Sequence, residues 1–257
     1  MGLDKIHATK KYKNHIRMLK EEQRVWTNLA KSSVFDAISS SDIHPPDSCL
    51  RLVPDGCKVL DVGCGYGRNA IFLRDKKGCN IVGVDFAPPL LKYAKNMGIK
   101  VVQADACYLP FRDASFDYLI SLFVLQHLPS FSHVEKALKE FKRVSRVSMF
   151  NIRNYLPLPT NIKGIIDYVN PARRCAVREH RRNRRLKQGM VDNAYTYKEA
   201  YGLAKSIFKN VKVMAMDEGF AYRDRHGFKK IKTIVLREVN MPLRIARFSK
   251  YFLFICS

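Results

Sequence analysis

Residues 58–67, KVLDVGCGYG, decide the fold, because a short apolar run passes directly into three glycines spaced two residues apart. Glycine allows a tight turn and a close approach of the backbone to a ligand, and the N-terminus of a following helix adds a partial positive charge. The next helix is expected to begin near Asn69. The stretch therefore predicts a strand, a loop suited to ligand contact, and a helix.

Further short runs rich in Val and Ile follow this unit, each separated from the next by a helix-like segment. They are NIVGVD at 80–85, IKVVQAD at 99–105 and FDYLISLFV at 116–124. Such alternation is typical of a parallel sheet with helices on its faces. We expect more strands at 147–152, 211–216 and 251–256, and helices at 133–146 and 197–208. Thr196 and Glu199 form a capping-box pattern before the second helix.

The chain divides into two parts. Residues 1–50 contain apolar positions at helical spacing between 15 and 38 and then the breaker SSSDIHPPDS, so they predict a helical preface and a linker. Residues 51–257 are expected to form the main domain. Basic insertions are predicted within it at about 155–195 and 220–250.

The charge is strongly positive and unevenly distributed. The 257 residues carry a formal net charge of +23, and residues 151–257 alone hold 23 Lys and Arg against 8 Asp and Glu, a net charge of +15. Arg173–Lys187 contains eight of these positive charges, and Arg223–Lys250 contains nine, with aromatic residues between them. Three interpretations of such segments are open: they bind RNA, they bind an anionic lipid surface, or they face solvent.

The cysteine spacing and the length of the apolar runs argue against several classes of protein. The seven cysteines are scattered without a C-x-x-C pair, which disfavours a metal site or a disulfide framework. No apolar run approaches the roughly 20 residues that span a bilayer, and the charged N-terminal residues, which no apolar run follows, lead us to expect no secretory signal. We expect a cytoplasmic protein without a metal, and the sequence leaves the oligomeric state open.

Three acidic residues fall at or near the ends of successive predicted strands: Asp61, Asp85 and Asp105. The carboxyl edge of an open α/β sheet is where ligands bind. Asp85 is placed to accept hydrogen bonds from ribose hydroxyls, and Asp105 to reach an adenine amino group. The Gly-x-Gly-x-Gly spacing differs from the Gly-x-Gly-x-x-Gly of dehydrogenases, which makes a nicotinamide enzyme a poor alternative.

Together, VLDVGCGYG, VGVD, VVQADACYLPF and SFDYLISLFVLQHL resemble the successive motifs of class I S-adenosylmethionine-dependent methyltransferases, the type 11 subgroup. The resemblance covers residues 56–152. It implies an α/β, Rossmann-like, doubly wound and mostly parallel seven-stranded sheet with helices on both faces, and S-adenosyl-L-methionine as the cofactor. The Pro-Gly-Gly turn usual before the fifth strand is replaced by residues 144–147.

The resemblance also implies roles for single positions. Asp61 would orient the methionine amino group, Leu122 would face the methyl group, and Asp85 would hold the ribose. The full set of expected cofactor-binding residues is Asp61, Gly63, Cys64, Gly65, Asp85, Phe86, Asp105, Ala106 and Leu122.

His127 is the candidate catalytic base, because it follows the fourth strand on the edge where the methyl group should point and because His titrates near neutral pH. Packing or capping is the competing interpretation. Tyr155 is an acceptor-side candidate of lower weight, and Trp26 is a candidate to close over the site.

The sequence thus predicts methyl transfer to an O, N or C atom, with a small or lipid-linked metabolite as the favoured acceptor. One alternative is an RNA, specifically tRNA, methyltransferase that binds RNA through Arg173–Lys187. A further alternative is a non-catalytic protein that binds the cofactor or RNA.

Overall fold

The computed structural model describes residues 17, 20–21, 23–28, 31, 47–154, 184–185, 191–216 and 251–257. The strands of this part are β1 (Lys58–Val62), β2 (Asn80–Asp85), β3 (Lys100–Gln103), β4 (Phe116–Ser121), β5 (Ser145–Arg153), β6 (Arg184–Arg185), β7 (Val191–Asp192), β8 (Val211–Met216) and β9 (Tyr251–Cys256). The helices are α1 (Asp47–Leu50), α2 (Arg68–Lys77), α3 (Pro88–Asn96), α4 (Phe131–Val144) and α5 (Tyr197–Ile207). Residues 23–28 are also helical.

Seven of these strands form one sheet in the order β3-β2-β1-β4-β5-β9-β8. The first five pair in parallel, and β9 runs antiparallel to both β5 and β8. The strand order reverses between β1 and β4, which creates the topological switch point at which open α/β sheets bind ligands. This arrangement confirms the predicted Rossmann-like, mostly parallel seven-stranded sheet.

Helices cover both faces of the sheet. On one face α4 and α5 bury apolar side chains against the strands, and on the other face α1, α2 and α3 do so. The stripe predicted for α4 is fully buried and consists of Val134, Ala137, Leu138, Phe141 and Val144. Two apolar cores therefore hold the sheet, and they leave its carboxyl edge to the loops.

Several boundaries differ slightly from the prediction. The helix α4 begins and ends two residues earlier than expected, and α5 ends at Ile207 instead of Phe208. The strand β5 is longer than expected because Ser145 ends α4 and starts β5 without an intervening turn. The predicted bounds of β8 and β9 and the capping box of Thr196 and Glu199 are confirmed.

Parts of the sequence interpretation lie outside the described residues. These are most of the helical preface, Tyr155, and both basic stretches apart from the backbone of Arg184 and Arg185. The domain boundary at residue 51 stays a prediction, although Cys49 and Leu50 already pack in the core. Among the described helices, none is long and apolar enough to cross a bilayer.

Candidate functional site

The glycine loop leaves the end of β1 at the centre of the carboxyl edge. Gly63 has a φ of +75°, and the backbone amides of Gly63 and Cys64 donate to the carbonyl oxygen of Val84 at 2.7 and 2.9 Å. A Cβ atom at Gly63 would lie 2.2 Å from Cγ2 of Val124. Glycine is therefore required here by both backbone conformation and space.

Asp85 ends β2 beside this loop. One of its carboxylate oxygens accepts from the amide of Gly65 and the other from the amide of Ala87, both at 2.9 Å. Burial raises the pKa of Asp85, and the amides of Ala87 and Gly65 act in the opposite direction. The carboxylate is thus fixed in orientation while each oxygen keeps a second lone pair for a ligand hydroxyl.

Asp61 lies inside the sheet, only 1% exposed. Among the described residues neither of its carboxylate oxygens has a hydrogen-bond partner. Burial raises the pKa of Asp61 to about 7, with Arg68 lowering it and Asp85 raising it further. A buried carboxyl without a partner is costly to keep in a protein, and such groups cluster at functional sites.

The third loop follows β3 and carries Asp105 and Ala106. One carboxylate oxygen of Asp105 accepts from the amide of Cys107 at 2.9 Å. The loop is held against α4, because Glu140 accepts from the amide of Leu109 at 2.8 Å and Arg143 donates to the Leu109 carbonyl oxygen at 2.9 Å. The position of Asp105 is therefore set by a helix on the sheet face.

His127 ends a short 3-10 turn, Leu125–His127, beyond β4. Its Nδ1 lies 2.7 Å from the carbonyl oxygen of Val191. A carbonyl oxygen only accepts, so Nδ1 carries the proton and Nε2 keeps the lone pair. Burial lowers the pKa of His127 below its usual 6.5, and Arg153 lowers it too, while Val191 and Asp192 act the other way. The ring is consequently neutral at neutral pH.

A helical segment of the preface lies over the same edge. Gln23 donates from Nε2 to the carbonyl oxygen of Phe86 at 2.7 Å. The rings of Trp26 and His127 meet edge to face with centroids 5.1 Å apart. Trp26 therefore contacts the candidate base and lines the same cleft, while its closure over the site stays a prediction.

These loops and the preface segment line one cleft that is open to solvent. Seven of the ten residues expected from the sequence line it: Gly63, Gly65, Asp85, Phe86, Asp105, Ala106 and His127. A mostly apolar wall with a few fixed polar groups is typical of small-molecule sites.

The other three expected residues lie behind this wall. Asp61 and Cys64 are buried, and Leu122 packs in the core beneath α1 and α2. In place of Leu122, the neighbouring Phe123 and Val124 line the cleft. Their roles toward a cofactor stay predictions.

Phe123 was not singled out by the sequence. It has a φ of +63°, and its amide donates to Oδ1 of Asn151 at 2.6 Å. Asn151 is fully buried in β5. The one signal in the sequence was an Asn inside an apolar strand, and it does not reveal which backbone group the side chain binds.

No group of three or more His, Cys, Asp or Glu residues in the described part of the chain could hold a metal ion. A cleft at the topological switch point of such a sheet is typical of nucleotide-binding α/β domains.

Comparison with known proteins specifies this class. Residues 60–148 match the family model described as a methyltransferase domain. A tRNA (carboxymethyluridine(34)-5-O)-methyltransferase of Arabidopsis thaliana is 37% identical over 101 residues, which are 39% of this chain and 24% of that protein. A demethylmenaquinone methyltransferase of Thermus thermophilus is 36% identical over 105 residues, which are 38% of this chain and 46% of that protein. The chain spans less than half the length of these relatives.

Solved structures agree on the fold. The S-adenosylmethionine-dependent methyltransferase of Methanosarcina mazei superposes with a TM-score of 0.54 at 16% identity, covering 84% of this chain and 97% of that one. Residues 60–148 thus match a methyltransferase domain, and the chain has the fold of S-adenosylmethionine-dependent methyltransferases, in agreement with the resemblance seen in the sequence. S-adenosyl-L-methionine is the cofactor of this class, as expected.

Proposed function

We propose that this chain transfers the methyl group of S-adenosylmethionine to tRNA. The observation that carries the methyltransferase part is the convergence of Gly63, Asp85, Asp105 and His127 on one cleft at the switch point. When bound, the cofactor supplies a methyl group on a positively charged sulfur atom.

The residues present fit that cofactor. Asp85 would hold the ribose hydroxyls with a carboxylate that two backbone amides already orient. Asp105 and Ala106 would flank the adenine at the third loop. Gly63 and Gly65 would border the methionine portion, where the space above Gly63 is too narrow for a Cβ atom. The unpartnered Asp61 carboxyl lies behind this part of the loop and favours a polar group nearby.

His127 would act on the acceptor. Its Nε2 lone pair can take a proton from a hydroxyl or a nitrogen that becomes methylated, and its Nδ1 proton is held by Val191. Trp26, Leu128 and Pro129 line the cleft together with His127 and give this part of it an apolar surface. Alignment of the acceptor in such a cleft supplies much of the rate enhancement.

Charge favours tRNA over a small acceptor. The net charge of +15 in residues 151–257 suits a polyphosphate better than a quinone or another metabolite. The relative from Arabidopsis thaliana is named a tRNA methyltransferase, whereas the relative from Thermus thermophilus is named for a demethylmenaquinone. A cytoplasmic location, which the sequence predicts, would place the enzyme with tRNA.

The test is methyl transfer from labelled S-adenosylmethionine to total tRNA and, separately, to a lipid and quinone extract. We expect label in tRNA, falling steeply as salt rises, and no label with the Asp85→Ala variant. Label only in the lipid and quinone extract would replace the acceptor proposal and keep the methyltransferase. Cofactor binding without transfer to either fraction would favour the non-catalytic alternative.

A further inference from the structure

A short segment that follows the first basic stretch, residues 191–195, is hydrogen-bonded to the turn that carries His127, and we call this segment the clasp. The carbonyl oxygen of Val191 accepts from Nδ1 of His127 at 2.7 Å. Two residues on, the backbone amide of Asn193 donates to the carbonyl oxygen of Gln126 at 2.7 Å, and its side-chain Nδ2 donates to the carbonyl oxygen of Leu128 at 2.8 Å. Three successive residues of the turn are thus bound by three hydrogen bonds from one segment.

Asn193 is the central member of this clasp. It is only 4% exposed, and its two donors bind the carbonyls on either side of His127. Buried donors and acceptors of this kind are costly to leave unpaired, so the arrangement is strongly specified. Removing the side-chain amide would leave the Leu128 carbonyl without this donor.

The segment is also fixed to the sheet. Arg153, the last residue of β5, forms an ion pair with Asp192, and its carbonyl oxygen accepts from the amide of Tyr195 at 2.9 Å. Asn154 and Tyr195 form an isolated parallel bridge. The clasp is therefore anchored to β5 on one side and holds the His127 turn on the other.

We infer that Asn193 is a positioning residue, which holds the turn around His127 so that the Val191 carbonyl keeps the proton on Nδ1 and the lone pair on Nε2. The inference rests on the proposed function, in which His127 is the base. Asn193 itself acts only through His127, since it is not among the residues that line the described cleft.

The charged groups that act on His127 are Asp192 and Arg153, which are paired with each other. Substitution of Asn193 leaves both in place. A change in the His127 ring of Asn193→Ala would therefore report the lost hydrogen bond and not a changed charge.

The experiment uses the full chain and three variants. Asn193→Ala removes the side-chain amide, and Asn193→Asp keeps the shape and the backbone amide but replaces the Nδ2 donor by an acceptor. Asn210→Ala is the matched control, because its amide also makes a side-chain hydrogen bond, to the Ser257 hydroxyl at 3.1 Å, but at an exposed site far along the chain from the turn. The His127 signal is assigned by its absence from the His127→Gln spectrum.

Nitrogen NMR of the histidine rings is the first readout, since it reports which ring nitrogen is protonated and needs neither cofactor nor acceptor. We expect the proton on Nδ1 in the native protein and in Asn210→Ala, and a mixture of tautomers in both Asn193 variants. With cofactor and acceptor, kcat of Asn193→Asp should fall about 10- to 100-fold while KM for the acceptor changes much less.

A native His127 protonated on Nε2, or Asn193 variants with the native tautomer and native kcat, would overturn the inference. If the Asn193→Ala variant fails to fold, Asn193→Asp decides. Absence of turnover by the native protein would contradict the proposed function, whereas the tautomer measurement would still decide whether Asn193 positions the ring.

Discussion

Gly63 and Val124 approach so closely that a Cβ atom on the glycine would lie 2.2 Å from Cγ2 of the valine. The glycine belongs to the loop after β1 and the valine to the loop after β4, the two strands between which the sheet order reverses. Their contact fixes the separation of the two loops that border the cleft. The cleft therefore depends on a residue without a side chain at this position.

Replacing Gly63 by Ala should damage the cofactor site. The new methyl group must push Val124 away, and the alanine backbone must keep a φ of +75°. We therefore expect the free energy of unfolding to fall by about 1–3 kcal/mol. Cofactor affinity, measured by calorimetry, should fall as well. Gly56→Ala is the control, because Gly56 has a φ of +69° but no atom within 4 Å of the added Cβ. Equal cofactor affinity in the two variants would contradict the steric argument.

Asp85→Asn should abolish cofactor binding without unfolding the protein. The amide that replaces the carboxylate would place a donor against the backbone amide of Gly65 or of Ala87, and it would lose an acceptor for the ribose. Calorimetry should detect no heat of binding. The control is Asp117→Asn, since Asp117 also accepts from a backbone amide, that of Lys58 at 3.0 Å, but on the exposed surface. Native affinity in Asp85→Asn would exclude the ribose role.

Asp61 should make the protein less stable as the pH rises. Its pKa is about 7 in the folded chain against an ordinary value of 3.8, so between these pH values the folded state holds a proton that the unfolded state has lost. Stability contributed by this proton is complete below pH 3.8 and is lost as the pH rises toward 7.

Asp61→Asn should remove that dependence. Denaturant unfolding at several pH values should show the native protein losing about 2–4 kcal/mol more than the variant across this window. Asp85 titrates with the same sign, because burial raises its pKa too. The comparison of native protein with variant cancels the contribution of Asp85, and parallel curves for the two proteins would show that folding does not raise the pKa of Asp61.

His127→Gln should lower kcat by about 100-fold or more, because general-base catalysis supplies factors of that size. In the native enzyme kcat should stay constant near neutral pH and fall only at a pH below 6.5, since burial lowers the pKa of His127. The acid limb of the profile should vanish in the variant. His133→Gln serves as the control, because His133 lies on α4 and bonds to Ser130. An unchanged profile in His127→Gln would assign His127 to packing.

The fold could be predicted from the sequence where local pattern decides it. Val and Ile runs such as 80–85 mark buried parallel strands, and Asp85 and Asp105 then fall at the carboxyl edge by topology alone. The buried stripe of α4 was also predicted from a local pattern, the helical spacing of its apolar residues. Its C-terminal end was misplaced by two residues because Ser145 passes from helix to strand with no turn residue to mark the change.

The supporting contacts of the site could not be predicted. Phe123 depends on Asn151, 28 residues away, and His127 depends on Val191, 64 residues away. Both bonds involve a backbone group whose partner is set by the three-dimensional fold and not by local residue type. The replacement of Leu122 by Phe123 at the cleft follows from the left-handed backbone of Phe123, which no periodicity indicates.

Titration calorimetry of S-adenosylmethionine and of its demethylated product into the purified full chain, at low and at high salt, tests the central claim most directly. The cleft predicts that both bind, with affinities that depend little on salt, because Asp85, Asp105 and the glycine loop hold them by short-range contacts. Folded protein that binds neither compound would contradict the claim that this cleft is a cofactor site.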